Sequence, residues 1–122
     1  MPDNEFAARI RVQGGLPIID LQGEVNSAAD SALNQAFERA SQASPPRLLL
    51  NFREVTYINS TGIALIVGLL AQARKSRIDL LVAGLSDHYR HIFSITRLAD
   101  FMTIHEDEAS ALAATHVPAS ES

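Results

Sequence analysis

The chain has 122 residues, of which 47% are hydrophobic and 20% charged. This length allows one compact domain, and the composition is too apolar for intrinsic disorder. A net charge of -4 at pH 7 argues against a nucleic-acid-binding protein and against attachment to an anionic membrane surface, because both require a surplus of Lys and Arg. The sequence contains no cysteine, which excludes disulfides, thiolate metal sites and a cysteine nucleophile.

Two segments bear on membranes and export. The longest apolar run, residues 58–73, falls short of the roughly 20 residues that a membrane-spanning helix needs, and it contains two glycines. Asp3 and Glu5 stand where a secretory signal would carry basic residues. We therefore expect a cytoplasmic protein without a transmembrane helix.

Changes in the hydrophobic period divide the chain into strands and helices. Alternation around Arg9 and Arg11 indicates a half-exposed edge strand, and the turn at Gly14 and Gly15 makes it one arm of an antiparallel hairpin. The uninterrupted leucines at residues 48–50 are typical of a central strand covered on both faces. In chain order we predict strands at 6–12 and 16–23, a helix of about 14 residues after Asn26 and Ser27, a strand at 47–52, a helix at 63–75, a strand at 78–83, a helix at 86–97, a strand at 101–104 and a helix at 106–115.

This order predicts the fold class α/β, with a mixed, mostly parallel sheet of about five strands, an N-terminal antiparallel hairpin and about four helices. One domain is expected to span residues 5–115, and residues 116–122 are expected to form a flexible C-terminal tail. Glu106, Asp107 and Glu108 fall in the first turn of the last predicted helix, where the helix dipole favours negative charge. We expect these carboxylates to form a solvated helix end.

The turn before the second predicted helix carries the most informative residues. Functional groups gather at the carboxyl ends of strands in open α/β sheets, and Asn59 and Ser60 precede helical N–H groups that lack partners. Gly62 removes a side chain where another backbone or a partner could approach. A phosphate on Ser60 would meet these donors and the positive end of the helix dipole. Alternatively, Asn59 or Ser60 is only the N-cap, contributing about 1 kcal/mol.

The second predicted helix has two faces when it is projected at about 100° per residue. The face predicted to be core holds Ile63, Ile66, Val67 and Leu70. The face predicted to be exposed holds Leu65, Gly68, Leu69 and Gln72. Exposed leucines beside Ser60 would form a docking patch for another protein, although scattered surface leucines without a function are equally common.

Other side-chain combinations point to no catalytic or cofactor chemistry. A hydrolase nucleophile at Ser60 would require glycine two positions earlier, where the chain has Ile58. His88 and His91 lie three residues apart on a predicted helix, but no third ligand is spaced with them, so no metal site is expected. The sequence has neither a Walker motif nor Gly-x-Gly-x-x-Gly. No cofactor is expected, and weak nucleotide contact at the Ser60 turn stays open.

Two short motifs resemble signatures of the STAS domain family: Gly-Glu-Val-Asn at residues 23–26 and Asn-Ser-Thr-Gly at residues 59–62. Over about residues 5–115 the chain resembles the bacterial anti-sigma factor antagonists (anti-anti-sigma factors). The resemblance implies the STAS fold and a regulator that is not an enzyme. In such proteins the unphosphorylated form binds an anti-sigma factor serine kinase, the kinase phosphorylates a serine before the second helix, and a phosphoserine phosphatase reverses the modification.

The resemblance also implies roles for individual residues. Ser60 matches the phosphorylated serine, Thr61 is the alternative acceptor beside it, and Gly62 matches the glycine that lets the helix begin close to the partner. The implied partner-binding set is Glu24, Asn26, Ser27, Asn59, Ser60, Thr61, Gly62, Leu65, Gly68, Leu69 and Gln72. A monomer or weak dimer is expected.

The chain departs from the family pattern at two positions. Asn59 stands where the family usually has an aspartate immediately before the serine, and Asn26 stands where an aspartate is common. Asn59 can still cap the helix, but it removes a negative charge beside the acceptor. The second hypothesis is therefore an interaction module or scaffold in a signalling assembly, without a phospho-switch.

Overall fold

A computed structural model of the chain describes residues 5–115 as a five-stranded mixed sheet with helices on both faces. The spatial order of the strands is their chain order: β1 (Ala7–Gln13), β2 (Leu16–Val25), β3 (Arg47–Ile58), β4 (Asp79–Ala83) and β5 (Thr103–His105). The α-helices are α1 (Asp30–Ser41), α2 (Ser60–Lys75), α3 (Asp87–Ile95) and α4 (Glu108–Thr115), with 3-10 turns at Ser27–Ala29 and Leu98–Asp100.

The predicted fold class and sheet organisation are confirmed. β1 is antiparallel to β2, and β2 to β5 are mutually parallel, with β1 at an edge and β3 in the centre. Residues 116–122, predicted to be a flexible tail, lie outside the described residues. Within residues 5–115, no helix is long and apolar enough to cross a bilayer.

Two apolar clusters lie on opposite faces of the sheet because side chains alternate along a strand. The larger cluster packs α1, α2 and α3 against strand residues such as Ile19, Leu50 and Val82. The smaller cluster packs Ala111 of α4 against neighbours that include Leu49. Coverage on both faces explains the unbroken run of leucines in the central strand.

Several strand boundaries differ from the prediction by one or two residues, such as the end of β2 at Val25 rather than at residue 23, and one differs by more. β3 continues six residues past its predicted end at residue 52, because its polar second half pairs with the end of β2, from Gln22 opposite Glu54 to Val25 opposite Ile58. β5 starts at Thr103 rather than at residue 101, because the 3-10 turn at Leu98–Asp100 ends in a cap at Phe101 and a bend before the strand begins. The extension of β3 brings the strand directly to the turn that carries Ser60.

The last helix begins later than predicted. α4 starts at Glu108 rather than at residue 106, because the Asp107 carboxylate accepts the Ser110 N–H at 2.8 Å and caps the helix. The hydrogen bonds from Ser110 hold the pKa of Asp107 below its ordinary value. Asp107 and Glu106 are exposed as expected, but Glu108 is half-buried.

Glu108 belongs to an ionic network rather than to a solvated helix end. The Arg11 guanidinium on β1 donates to both carboxylate oxygens of Glu108 and to both of Asp20, with Nε to Asp20 Oδ2 at 2.6 Å and Nη1 to Glu108 Oε2 at 2.9 Å. Asn51 Nδ2 donates to Asp20 Oδ1 at 2.9 Å. The hydrogen bonds from Arg11, and then that from Asn51, hold the pKa of Asp20 below its ordinary value. This network fastens α4 to the sheet.

Candidate functional site

The carboxyl ends of β2 and β3 bring the two sequence motifs together. Val25 and Ile58 are paired at the ends of these strands, and the Asn59 N–H donates to the Val25 carbonyl at 3.2 Å. Beyond this point one segment enters the 3-10 turn at Ser27–Ala29 and the other enters α2. The 23–26 and 59–62 motifs therefore lie side by side, and their exposed or half-buried residues share one surface.

A bulge in β3, opposite Gly23 and Glu24, sets the position of Glu24. The pairing of β2 with β3 shifts register between Gly23 and Glu24, and Gly23 has a φ of +88°, a backbone conformation that side chains disfavour. Glu24 then lies opposite Tyr57, and the Asn26 side-chain amide donates to Glu24 Oε2 at 3.4 Å. The bulge thus places the Glu24 carboxylate beside the turn that begins at Asn26.

Both turns are capped by an asparagine. Asn59 Oδ1 accepts the Gly62 N–H at 2.8 Å, and Asn26 Oδ1 accepts the Ala28 N–H at 2.9 Å. Of the two predicted cap candidates, Asn59 is the N-cap of α2, and Ser60 is the first helical residue. Because the cap is supplied by its neighbour, exposed Ser60 is not needed to close the helix end.

Gly62 allows α2 to begin in contact with β2. A Cβ at this position would lie 2.0 Å from the Val25 carbonyl oxygen and 2.8 Å from its carbon, far inside van der Waals contact. Gly62 is itself buried. Of the two possibilities raised by the sequence, the close neighbour is therefore the chain's own backbone, and Gly62 acts by placing α2.

The exposed face of α2 is rotated from the predicted face. Leu69, predicted to be exposed, is only 1% exposed, whereas Val67, predicted to be core, is 44% exposed. Leu65 and Ile63 are both half-buried against the larger cluster. The helix is apolar on most sides, so its own period does not decide which side is buried. The buried residues are Gly62, Ile66, Leu69, Leu70 and Ala73.

Small residues explain the direction of this rotation. Gly62 and Ala73 lie on the same stripe as Leu69 and let that side of α2 come close to the sheet. The predicted exposure of Leu69 is therefore wrong, and its side chain is not accessible to a partner. The solvent-facing residues of the helix beside Ser60 are Thr61, Ala64, Val67, Gly68, Ala71 and Gln72.

Two residues near Ser60 were not predicted from sequence as part of the site. Tyr57 is 53% exposed on β3, opposite Glu24. Val67 is exposed on α2, about two helical turns after Ser60. No regular alternation past residue 52 marks Tyr57 in the sequence, because the second half of β3 is mostly exposed on both sides. Gln72, which was predicted, is exposed and donates from Nε2 to Asn34 Oδ1 of α1 at 3.0 Å.

The described residues offer little for metal chemistry. Within residues 5–115, no three His, Asp or Glu side chains are grouped as ligands would be. His88 and His91 are both exposed on α3, and the ring of His88 contacts that of Tyr89 edge-on. The site around Ser60 is an exposed surface of hydroxyl, amide and apolar groups, which suits contact with another protein.

Comparison with known proteins agrees with this geometry. The STAS domain family model matches residues 7–111. The anti-sigma-B factor antagonist of Listeria monocytogenes is 30% identical over 86 residues, covering 70% of this chain and 75% of that protein.

Solved structures share the fold at lower sequence identity. An anti-sigma factor antagonist from Mycobacterium paratuberculosis has a TM-score of 0.75 at 18% identity, covering 93% of this chain and 96% of that chain. The Bacillus cell fate determinant SpoIIAA in its phosphorylated form has a TM-score of 0.68 at 19% identity, covering 90% of this chain and 100% of that chain. Anti-sigma factor antagonists are regulators rather than enzymes. With its two motifs joined at the ends of β2 and β3 and the family model matched over residues 7–111, the chain belongs to the STAS domain family.

Proposed function

We propose that this protein is a cytoplasmic anti-sigma factor antagonist that binds an anti-sigma factor kinase while Ser60 is unphosphorylated and releases it once Ser60 carries phosphate. A phosphoserine phosphatase would restore the binding form. The observation that carries the proposal is the exposed position of Ser60 at the start of α2, on the surface where both motifs meet. The name of the Listeria relative and the phosphorylated form of SpoIIAA support it.

The proposed docking surface consists of the exposed or half-buried residues around Ser60. Tyr57 and Val67 are its large apolar members, and aromatic side chains are the commonest anchors of protein interfaces. Gly62 contributes only by placing α2. The docking surface comprises Glu24, Asn26, Ser27, Tyr57, Asn59, Ser60, Thr61, Leu65, Val67, Gly68 and Gln72.

Phosphate on Ser60 would act on binding rather than on folding. It would add a charge of about -1.5 to -2 at pH 7, at a helix end whose dipole stabilises an anion. Asn59 is neutral, so the preceding residue does not repel this charge. In a complex the same phosphate would have to be desolvated against the partner, which costs several kcal/mol. We therefore expect an unchanged fold and a large loss of affinity.

Mass spectrometry tests the acceptor. After incubation with ATP and the kinase, we expect one phosphate on the wild type, one on Thr61→Val and none on Ser60→Ala. Phosphate that persists on Ser60→Ala and disappears from Thr61→Val would identify Thr61 as the acceptor instead.

Calorimetry tests the switch. Ser60→Asp is expected to bind the kinase at least about 100-fold more weakly than wild type, equivalent to about 2.7 kcal/mol, while its thermal melt stays close to that of wild type. Ser60→Asn serves as the control of matched size without charge and should keep most of the affinity. Equal affinities of Ser60→Asp and wild type would contradict the switch.

A second candidate function is an interaction module whose binding is not regulated by phosphate. The neutral cap at Asn59, in place of the carboxylate usual in the family, favours it. In that case the wild type binds its partner, acquires no phosphate from the kinase, and loses no affinity in the Ser60→Asp variant.

A further inference from the structure

Tyr89 of α3 holds the backbone immediately before the Ser60 turn. Its hydroxyl accepts the Ile58 N–H at 2.8 Å and donates to the Ile58 carbonyl at 3.3 Å. Tyr89 is 9% exposed and Ile58 is 4% exposed, so water has little access to these groups. One hydroxyl therefore satisfies both polar backbone groups of the last residue in β3.

This hydroxyl takes the place of a neighbouring strand. β4 pairs with β3 no further than Asn51, whereas β3 continues to Ile58. In a parallel ladder, the N–H and C=O of one residue face the same neighbour, and those of the next residue face the opposite one. The Asn59 N–H is bonded to Val25 of β2, so the groups of Ile58 face away from β2. The Tyr89 hydroxyl bonds the Ile58 N–H and C=O on the edge of β3 that β4 no longer covers.

We propose that Tyr89 is a positioning residue for Ser60, acting through the end of β3. This inference rests on the proposed function at Ser60. The path is short, since Ile58 precedes Asn59, and Asn59 Oδ1 holds the Gly62 N–H in the first turn of α2 at 2.8 Å. The Tyr89 hydroxyl is bonded to Ile58 and not to Ser60 itself. It holds the end of β3 in place, so that the Asn59 cap and the Ser60 hydroxyl keep their positions.

Removing the hydroxyl would leave the Ile58 N–H and C=O buried without partners. Unsatisfied buried backbone groups are costly, so the strand end would open to water more often. Each opening would displace the Asn59 cap and, with it, Ser60. Small displacements of a reacting group lower rates strongly, by up to about 100-fold for roughly 1 Å.

The test compares Tyr89→Phe with two matched controls. Tyr89→Phe removes only the hydroxyl and keeps the buried ring. Thr96→Val removes another hydroxyl of the same region of the fold, which donates to the Ile92 carbonyl at 2.7 Å. Ile78→Val trims a buried side chain beside β4, away from the docking surface, and controls for a general loss of stability. All variants are measured under conditions in which denaturation curves show them to be fully folded.

Amide hydrogen exchange gives the first readout, and it does not depend on a kinase. We expect exchange at Ile58 and Gly62 to rise about tenfold or more in Tyr89→Phe, and to stay near wild type in both controls after correction for global stability. A rise no larger than that in Ile78→Val would make Tyr89 an ordinary core residue and overturn the inference.

Phosphorylation kinetics give the second readout. We expect kcat for phosphorylation of Tyr89→Phe to fall about tenfold with a smaller change in KM. The docking surface remains intact, but the Ser60 hydroxyl is displaced from its reactive position more often. The controls should keep both constants. A kcat for Tyr89→Phe equal to that of Thr96→Val would refute the positioning role.

The two failures are distinguishable. If the wild type acquires no phosphate, the proposed switch fails, and exchange at Gly62 alone decides whether Tyr89 orders the turn. If the wild type is phosphorylated and Tyr89→Phe behaves like the controls in both readouts, the proposed function stands and the inference about Tyr89 is wrong.

Discussion

The same substitution is expected to have opposite effects at two glycines of α2. Glycine in a helix interior is less favourable than alanine by about 0.5–1 kcal/mol, because glycine loses more conformational freedom on folding. Gly68 is exposed, and a Cβ there would meet nothing within 4 Å. Gly68→Ala should therefore stabilise the protein by about this amount.

At Gly62 the added methyl group has no space. Its position 2.0 Å from the Val25 carbonyl oxygen forces the start of α2 away from β2. Overpacking of this kind costs about 1–3 kcal/mol, and the Asn59 N–H bond to Val25 is worth a further 0.5–1.5 kcal/mol or so. After the helix gain of about 0.5–1 kcal/mol is subtracted, Gly62→Ala should destabilise the protein by about 0.5–4 kcal/mol.

Urea denaturation of the wild type and both variants measures this difference, since a domain of this size usually unfolds in two states. The midpoint should fall for Gly62→Ala and rise for Gly68→Ala, with an unchanged slope in each case. If Gly62→Ala were as stable as Gly68→Ala, direct backbone contact between α2 and β2 would not be what places the helix.

Three further predictions concern the cap, the ionic network and the rotated face of α2. Asn59→Ala should lower the free energy of unfolding by about 1 kcal/mol. Asn59→Asp should raise it by about 0.3–1 kcal/mol at pH 7, because the helix dipole favours a negative charge there. Thermal melts at a series of pH values should show this gain disappear below about pH 4. Arg11→Met should cost up to about 1 kcal/mol at pH 7, because its ion pairs are partly exposed. Arg11 lowers the folded-state pKa of Asp20, so the contribution of this pair to stability is present above about pH 4 and is lost as the pH falls through that lowered pKa. Arg11→Met should therefore lose less stability than wild type in this acid range. Stability curves of the two proteins that fall in parallel with pH would contradict this. Leu69→Ala should cost about 2–5 kcal/mol and Val67→Ala no more than about 0.5 kcal/mol in the same denaturation assay, and equal costs would show that the face of α2 is assigned wrongly.

The order of strands and helices could be predicted from sequence because the signals for it are local. The leucines at residues 48–50, the glycine turn at residues 14–15 and the prolines at Pro45 and Pro46 each act over a few neighbouring residues. The position of Ser60 was found in the same way, since a polar turn between a buried strand and a helix is visible without any long-range contact.

Only the tertiary structure decided how the site is built. The second half of β3 carries Arg53 and Glu54, whose polar side chains do not predict a strand. This half is a strand because it pairs with the end of β2. Helix α2 is apolar on most sides, so the contact between Gly62 and Val25, rather than its own period, determined which leucine is buried. The hydrogen bonds between Tyr89 and Ile58 join residues that are distant in the chain. No local pattern encodes them, because hydrogen bonding between separate elements depends on where the whole fold places them.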